Sequence, residues 1–376
     1  MIFHAARHKF DKDSIVTARH PFSDPELAAP LLRRLEEALT RPFAFMEVCG
    51  THTVALFRTG LASLLPAGLT HLSGPGCPVC VTHDSEIAAA VSLAGRPDVI
   101  LATFGDLMRV PDPEGRSLKT AKAAGARIVV VYSPLEALDL AREHQDKNVV
   151  FLGVGFETTA PTVAATILAA REQNISNFMV LSCHKLVPPA LRLLLSGPDC
   201  GVDGFLLPGH VSTILGLEPY NFIAAEFKRP AVIGGFEATD LLQALIALVE
   251  QAGNPAPRVL NTYGRGVSPE GNPRAREIMD TVFAPAPARW RGLGVIPDSG
   301  LAIRPALAAF DALHRLEITL PETRTIPGCR CGDVLSGRMR PPDCPLFGKA
   351  CTPAQPIGPC MVSTEGSCAA YYNYGI

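Results

Sequence analysis

The chain has no charge excess of either sign: 34 Lys and Arg stand against 36 Asp and Glu, a formal net charge of −2. That balance supplies no basic field for nucleic acid and no acidic tail for a cationic partner. Long apolar runs are also missing. The longest, such as 231–236, fall well short of a membrane span, and the opening Met1-Ile2-Phe3-His4-Ala5-Ala6-Arg7-His8-Lys9-Phe10 carries no apolar signal core. The expectation is a cytoplasmic protein with neither nucleic acid nor membrane among its partners. Nucleotide fingerprints are incomplete, because no P-loop occurs and Gly153-x-Gly155 lacks the remaining glycines of a dinucleotide motif. What remains is an ordinary globular composition, 47% hydrophobic over 376 residues, long enough for two or three domains.

Cysteine is what the chain has in quantity. Six of its 11 cysteines, Cys329, Cys331, Cys344, Cys351, Cys360 and Cys368, crowd into the last fifty residues. The sequence between them is polar and rich in Pro and Gly, with no helical or strand period to bury, so packing alone cannot hold it. In a compartment that keeps thiols reduced, such a density argues for metal or redox chemistry before a disulfide framework. Zinc favours two tight Cys-x2-4-Cys pairs, whereas here the gaps are long and uneven. An iron–sulfur cube accepts one thiolate from each of four directions, which makes a cluster the first expectation; structural zinc, disulfides or free thiols stay as alternatives.

In chain order, residues 1–42 read as a helical arm, with one helix from about 24 to 39 capped by Ser23 or Asp24. Continuous apolar runs at 43–48, 99–103 and 128–132 follow, then 149–152, 178–181, 204–207, 231–234 and 258–261. Helix-compatible segments separate them, including 159–173 and 239–252. That rhythm predicts an α/β fold of parallel strands covered on both faces. The expected division is two tandem α/β domains, 43–147 and 148–264, followed by an irregular, partly helical iron–sulfur domain over 265–376. Residues 99–106 and 150–157 resemble each other, which hints at duplication.

Candidate site residues lie mainly at strand ends. Cys49 closes the first strand in Glu47-Val48-Cys49-Gly50-Thr51-His52-Thr53, where open α/β sheets bind ligands; a small buried residue before a turn is the plainer alternative. Cys77 and Cys80 form Gly74-Pro75-Gly76-Cys77-Pro78-Val79-Cys80, a pair able to close a disulfide or share a metal. Glu157 and Thr158, with Thr159, open a helix, where they cap it or bind an anion. Asp98 and Asp106 flank a strand and are loop solvators or site acids. His210 points either into the space between domains or to a core hydrogen bond. Glu365, between Cys360 and Cys368, either tunes a cluster or is an exposed turn carboxylate. Cys183 and Cys200 read as core or surface thiols.

Several blocks together resemble the hydrogenase maturation factor HypD family. They are Met46-Glu47-Val48-Cys49-Gly50-Thr51-His52-Thr53, Gly74-Pro75-Gly76-Cys77-Pro78-Val79-Cys80, Gly155-Phe156-Glu157-Thr158-Thr159-Ala160-Pro161 and Pro208-Gly209-His210-Val211. The tail joins them through Cys329-Arg330-Cys331-Gly332-Asp333, Cys351-Thr352-Pro353 and the run from Gly358 to Cys368. The resemblance implies an assembly scaffold with dithiol redox activity. With a HypC-like partner it would hold iron while two cyanides and one carbon monoxide are installed to make the Fe(CN)2CO unit of [NiFe] hydrogenase. A HypE-like protein, itself supplied from carbamoyl phosphate through HypF, would donate the cyanide. By matching position, Cys49 and Cys80 would hold the iron, Cys77 would close a disulfide with Cys80, and the tail would carry a [4Fe-4S] cluster. Cys344, Cys351 and Cys368 are then its expected ligands, with Cys329 as the fourth and Cys331 the alternative, and Cys360 a buried structural thiol. His52 would donate a hydrogen bond to a cyanide nitrogen or shuttle a proton, or else cap the turn. A different class of function, a cluster-dependent disulfide reductase similar to ferredoxin:thioredoxin reductase, would use the Cys77–Cys80 pair alone. A redox-inert adaptor with the cluster as a staple is the third reading.

Overall fold

The computed structural model describes residues 25–197, 201–322 and 326–375. Nine parallel strands carry the architecture: β1 (Phe43–Glu47), β2 (Leu69–Ser73), β3 (Val99–Thr103), β4 (Ile128–Val130), β5 (Asn148–Gly153), β6 (Phe178–Ser182), β7 (Gly204–Pro208), β8 (Ala231–Gly234) and β9 (Val259–Asn261). Their apolar runs are buried on both faces, as in β3, where all five residues are inaccessible. Helices supply the cover. Ala238–Val249 lays Leu241, Leu242, Leu245 and Leu248 against Phe45 and Val232, and Pro25–Ala38 packs outside it through Leu35. The caps expected for that first helix, Ser23 and Asp24, lie outside the described residues, as does Cys200.

The α/β class is as expected, but the strands do not divide at residue 147. One sheet has the order β2-β1-β7-β8-β9 and the other β4-β3-β5-β6, so the second sheet is inserted into the first. β1 pairs with β7, Phe45 opposite Gly204 and Glu47 opposite Leu206. Gly204 makes this approach possible, since a Cβ there would crowd the Phe43 ring and Leu248. Apolar strands of similar length suit either sheet, so rhythm alone could not assign them. The similar segments 99–106 and 150–157 turn out to be β3 and β5, neighbours in one sheet with Leu101 opposite Val150. Their likeness reflects a shared central environment, not equivalent places in two domains.

Three strands escaped the sequence reading. β2 is an edge strand whose burial alternates, so its Leu-Thr-His-Leu-Ser carries no continuous apolar run. β10 (Phe283–Trp290) and β11 (Gly294–Ile303) form an antiparallel hairpin in the region expected to be irregular. Two prolines in β10 hide it; a two-stranded ribbon leaves one edge of each strand unpaired, where a missing N–H costs nothing. Trp290 ends β10 fully buried, its indole donating to Ser299 Oγ at 2.8 Å. Beyond residue 326 the chain is turns and short helices, Cys331–Leu335, Pro359–Val362 and Ser367–Tyr374.

Because β1 and β2 depend on β7, residues 43–147 expressed alone should show no cooperative urea transition by circular dichroism, while the full chain does. A cooperative fragment would contradict this strand pairing.

Candidate functional site

β1 and β2 are adjacent and parallel, so the turns that leave their carboxyl ends lie side by side. The Gly50 N–H donates to the Gly76 carbonyl at 3.0 Å, and a Cβ on Gly76 would overlap the Cys49 backbone. Glycine at 76 is therefore a steric requirement of the contact. This approach brings Cys49, at the start of helix Gly50–Arg58, against the loop of Cys77 and Cys80, whose sulfurs are joined with Cα atoms 5.2 Å apart. All three are buried. Burial, then the charges of Glu365 and Glu47, push the Cys49 thiol up to about 12. The free thiol thus keeps its proton, and a bound cation must displace it.

His52 leaves the same helix in a different direction. Its Nε2 lies 3.2 and 3.1 Å from the carbonyl oxygens of Gly234 and Gly235 at the end of β8. Carbonyls only accept, so Nε2 carries the proton and the buried Nδ1 is a bare acceptor without a partner. Burial lowers the ring to about 4, so it stays neutral. In this tautomer the free nitrogen accepts, and donation to a cyanide from it is closed. Phe236 lies between His52 and the exposed His210, with ring centroids 4.8 and 4.0 Å away.

Glu365 joins these turns to the tail. Thr51 Oγ1 donates to its Oε1 at 2.8 Å, and a Cβ on Gly50 would run into the Glu365 backbone. Its charge also reaches Asp106, just after β3, and His210, just after β7, so both sheets and the tail meet around it. Behind it, all six tail cysteines line one small cavity, about 20 Å³, with Val334, Leu346, Phe347 and Met361. Cys331 Sγ lies 2.9 Å from Cys360 Sγ. Cys351 Sγ accepts from the Ile357 N–H at 3.3 Å. Hydrogen bonds from Cys329 and Cys360 hold the Cys331 thiol well below its ordinary value, while those with Cys331 and Cys368 raise Cys360. Helix Pro359–Val362, which carries Cys360, packs directly on Pro78–Val81, which carries Cys80. Among the described residues, no three His, Cys, Asp or Glu side chains are set to hold a single metal ion.

Other nominated residues fall elsewhere. Asp98 precedes β3, at the opposite end of the sheet from the sulfur turns, where it takes hydrogen bonds from Arg96 and Asn148 and ties β3 to β5. Asp106 alone of that pair is near the site. Glu157 does not cap its own helix, and Thr158 is half-buried with no capping bond. Instead Glu157 Oε1 accepts the Val187 N–H at 2.9 Å, capping helix Val187–Ser196 from outside, while Oε2 is buried without a partner. Cys183 is a buried core thiol. Two charged residues were missed. Arg291 pairs with Asp84 and donates to the Thr82 carbonyl, pinning the end of the Cys80 helix, and nothing in its Trp-Arg-Gly-Leu-Gly setting announced this. Glu47 was legible as a carboxylate ending an apolar strand, an unusual place for a charge.

Burial raises Glu157 from 4.5 to about 7. The native state therefore holds a proton that the unfolded chain has lost, so stability falls as pH rises from about 4.5 to about 7 and is level above. Glu157→Gln should remove that slope, matching wild type near pH 4 and exceeding it by roughly 2–3 kcal/mol at pH 8. Urea unfolding at the two pH values checks this; equal stability at pH 8 would contradict it.

Residues 26–375 match the family model described as HypD, Hydrogenase formation hypA family. Hydrogenase maturation factor HypD2 of Bradyrhizobium diazoefficiens is 45% identical over 363 residues, covering 94% of this chain and 96% of that one. Hydrogenase maturation factor HypD of Escherichia coli K12 is 45% identical over 358 residues, 93% and 96% of the two chains. That of Rhizobium leguminosarum bv. viciae is 45% identical over 363 residues, 94% of each. Among solved structures, 2,3-dimethylmalate lyase aligns at 12% identity over 62% of this chain and 80% of its own, with a TM-score of 0.14, too low to bear on the fold. The relatives do not favour a free-standing disulfide reductase. With the match running through every sulfur-bearing turn described above, the chain belongs to the HypD family of hydrogenase maturation factors.

Proposed function

We propose that this protein is the scaffold on which iron receives cyanide and carbon monoxide for [NiFe] hydrogenase, working with HypC-like and HypE-like partners. The observation that carries the reading is the contact of three sulfur sets in one body: Cys49 against the Cys77–Cys80 loop through Gly76, and the Cys80 helix against the Cys360 helix. Soft thiolates suit low-spin iron with strong-field diatomic ligands, and two of them leave coordination positions for cyanide, carbon monoxide and a partner's donor. By the family resemblance, Cys49 and Cys80 are the two cysteines assigned to the iron. While Cys80 is bonded to Cys77 it cannot hold iron, so the cargo waits on opening that bond, which takes two electrons and two protons.

The tail cavity fits an iron–sulfur group by its donor chemistry: six thiols converge on one apolar-walled space. Cys331 and Cys360 face each other with Cys329 and Cys368 beside them, and by the family resemblance we assign Cys329, Cys344, Cys351 and Cys368 to hold a [4Fe-4S] cluster. The Cys331–Cys360 contact leaves Cys331 the alternative to Cys329 as the fourth ligand. It also gives Cys360 a role beyond packing, as half of a second sulfur pair standing against the Cys80 helix. A cluster so held would supply single electrons to the thiol pairs. Around Cys49 the chain contributes shape and protons. Burial excludes water, His52 offers a fixed acceptor, and Glu365 places a carboxylate between the tail and the Cys49 turn.

Anaerobic purification with the HypC-like partner tests the reading by infrared spectroscopy. Wild type should show cyanide and carbonyl stretches that Cys49→Ala loses; stretches retained by Cys49→Ala would sink it. For the ligand set, Cys344→Ala should abolish iron–sulfur absorption and Cys360→Ala should keep it. The reverse result would exchange their roles.

A further inference from the structure

We infer that Glu47 is the positioning residue that sets the Cys49 sulfur for its cargo, and that His71 and Tyr371 tie it to the helix carrying Cys368. The inference rests on the scaffold reading above and concerns a residue outside the sulfur set. Glu47 ends β1 inside the apolar run Phe-Ala-Phe-Met and is 1% exposed. A carboxylate so buried must spend both oxygens on partners. Oε2 accepts the Cys49 N–H at 2.9 Å, and Oε1 accepts the Thr53 hydroxyl at 2.5 Å. The charge thereby sits at the amino end of helix Gly50–Arg58, where the helix dipole favours an anion.

The comparison with Cys77 shows what this achieves. Both cysteines occupy the cap position of a helix, which normally commits the side chain to a backbone N–H. Cys77 obeys: its sulfur accepts the Cys80 N–H at 3.2 Å. Cys49 makes no side-chain capping bond. Glu47, two residues earlier, holds the Cys49 backbone instead, so the place of the sulfur is set through the turn, where the Thr51 and His52 N–H groups face it. His71 extends the arrangement. Its Nε2 is 3.6 Å from Glu47 Oε1, neither ring nitrogen has a hydrogen bond, and its ring stacks on Tyr371 at 6.5 Å and 12°. Tyr371 lies one turn after Cys368 in Ser367–Tyr374 and also touches Phe57 of the Cys49 helix, at 4.2 Å. The wall of the tail cavity and the carboxylate behind Cys49 are thus in one stack.

The test uses the full chain, purified anaerobically with its HypC-like partner, as Glu47→Gln, Thr53→Val and wild type. Glu47→Gln removes the charge, so the Cys49 N–H loses its charge-assisted acceptor even where the Thr53 hydroxyl turns to accept from the new NH2 group. Cys49 amide exchange should speed up about tenfold and cyanide- and carbonyl-bearing iron should fall by a similar factor, with tail absorption unchanged. Thr53→Val, which removes only the Oε1 bond and keeps the fold if Glu47→Gln does not, should fall between. Wild-type amide exchange and iron occupancy in both variants would overturn the inference while leaving the scaffold reading intact. So would tail absorption and thermal stability lost in step with iron, which marks a merely structural role. Absence of the stretches from wild type would overturn the scaffold reading, and amide exchange would then decide the Glu47 geometry by itself.

Discussion

Two turns that touch backbone to backbone hold the site together. Gly76 lies on Cys49 so closely that no side chain fits between, and this sets three buried cysteines from two separate strand ends side by side. The contact follows from sheet order, since only neighbouring parallel strands put the turns at their carboxyl ends within reach of each other. Every later element is built onto this junction. Glu365 closes it from the tail, Glu47 supports it from below, and the Cys360 helix leans on the Cys80 helix beside it.

Burial is the second constraint. A thiol with its proton held tightly and a neutral imidazole both result from removing water around these turns, and burial likewise raises the Glu157 carboxyl to about 7 elsewhere in the fold. Such groups do not favour the charged state, and under the proposed scaffold function a soft cation would be what displaces the thiol proton.

Much of this was legible in the chain because parallel strands buried on both faces leave continuous apolar runs, and eight of them stood out between turns. Their sorting into sheets was not legible. Phe43 to Glu47 reads the same whether it pairs with β3 or β7, because the constraint at Gly204 comes from the Phe43 ring and Leu248, which only the fold brings to it. The cysteines showed which turns matter, but not that Cys331 and Cys360 face each other, because a separation of 28 intervening residues in irregular chain carries no period. Asp98 misled because the two ends of a strand look alike in sequence. Polar residues that act through space, Glu47 and Arg291, were visible only as charges in odd places.

The inserted sheet has a bearing on how the protein is made. During synthesis β1 and β2 emerge first but wait for β7, β8 and β9, with the whole β3 to β6 sheet produced in between. Glu365, which seals the Cys49 turn, is made only after all the strands of both sheets. The Cys49 turn therefore stays open until both sheets have been made.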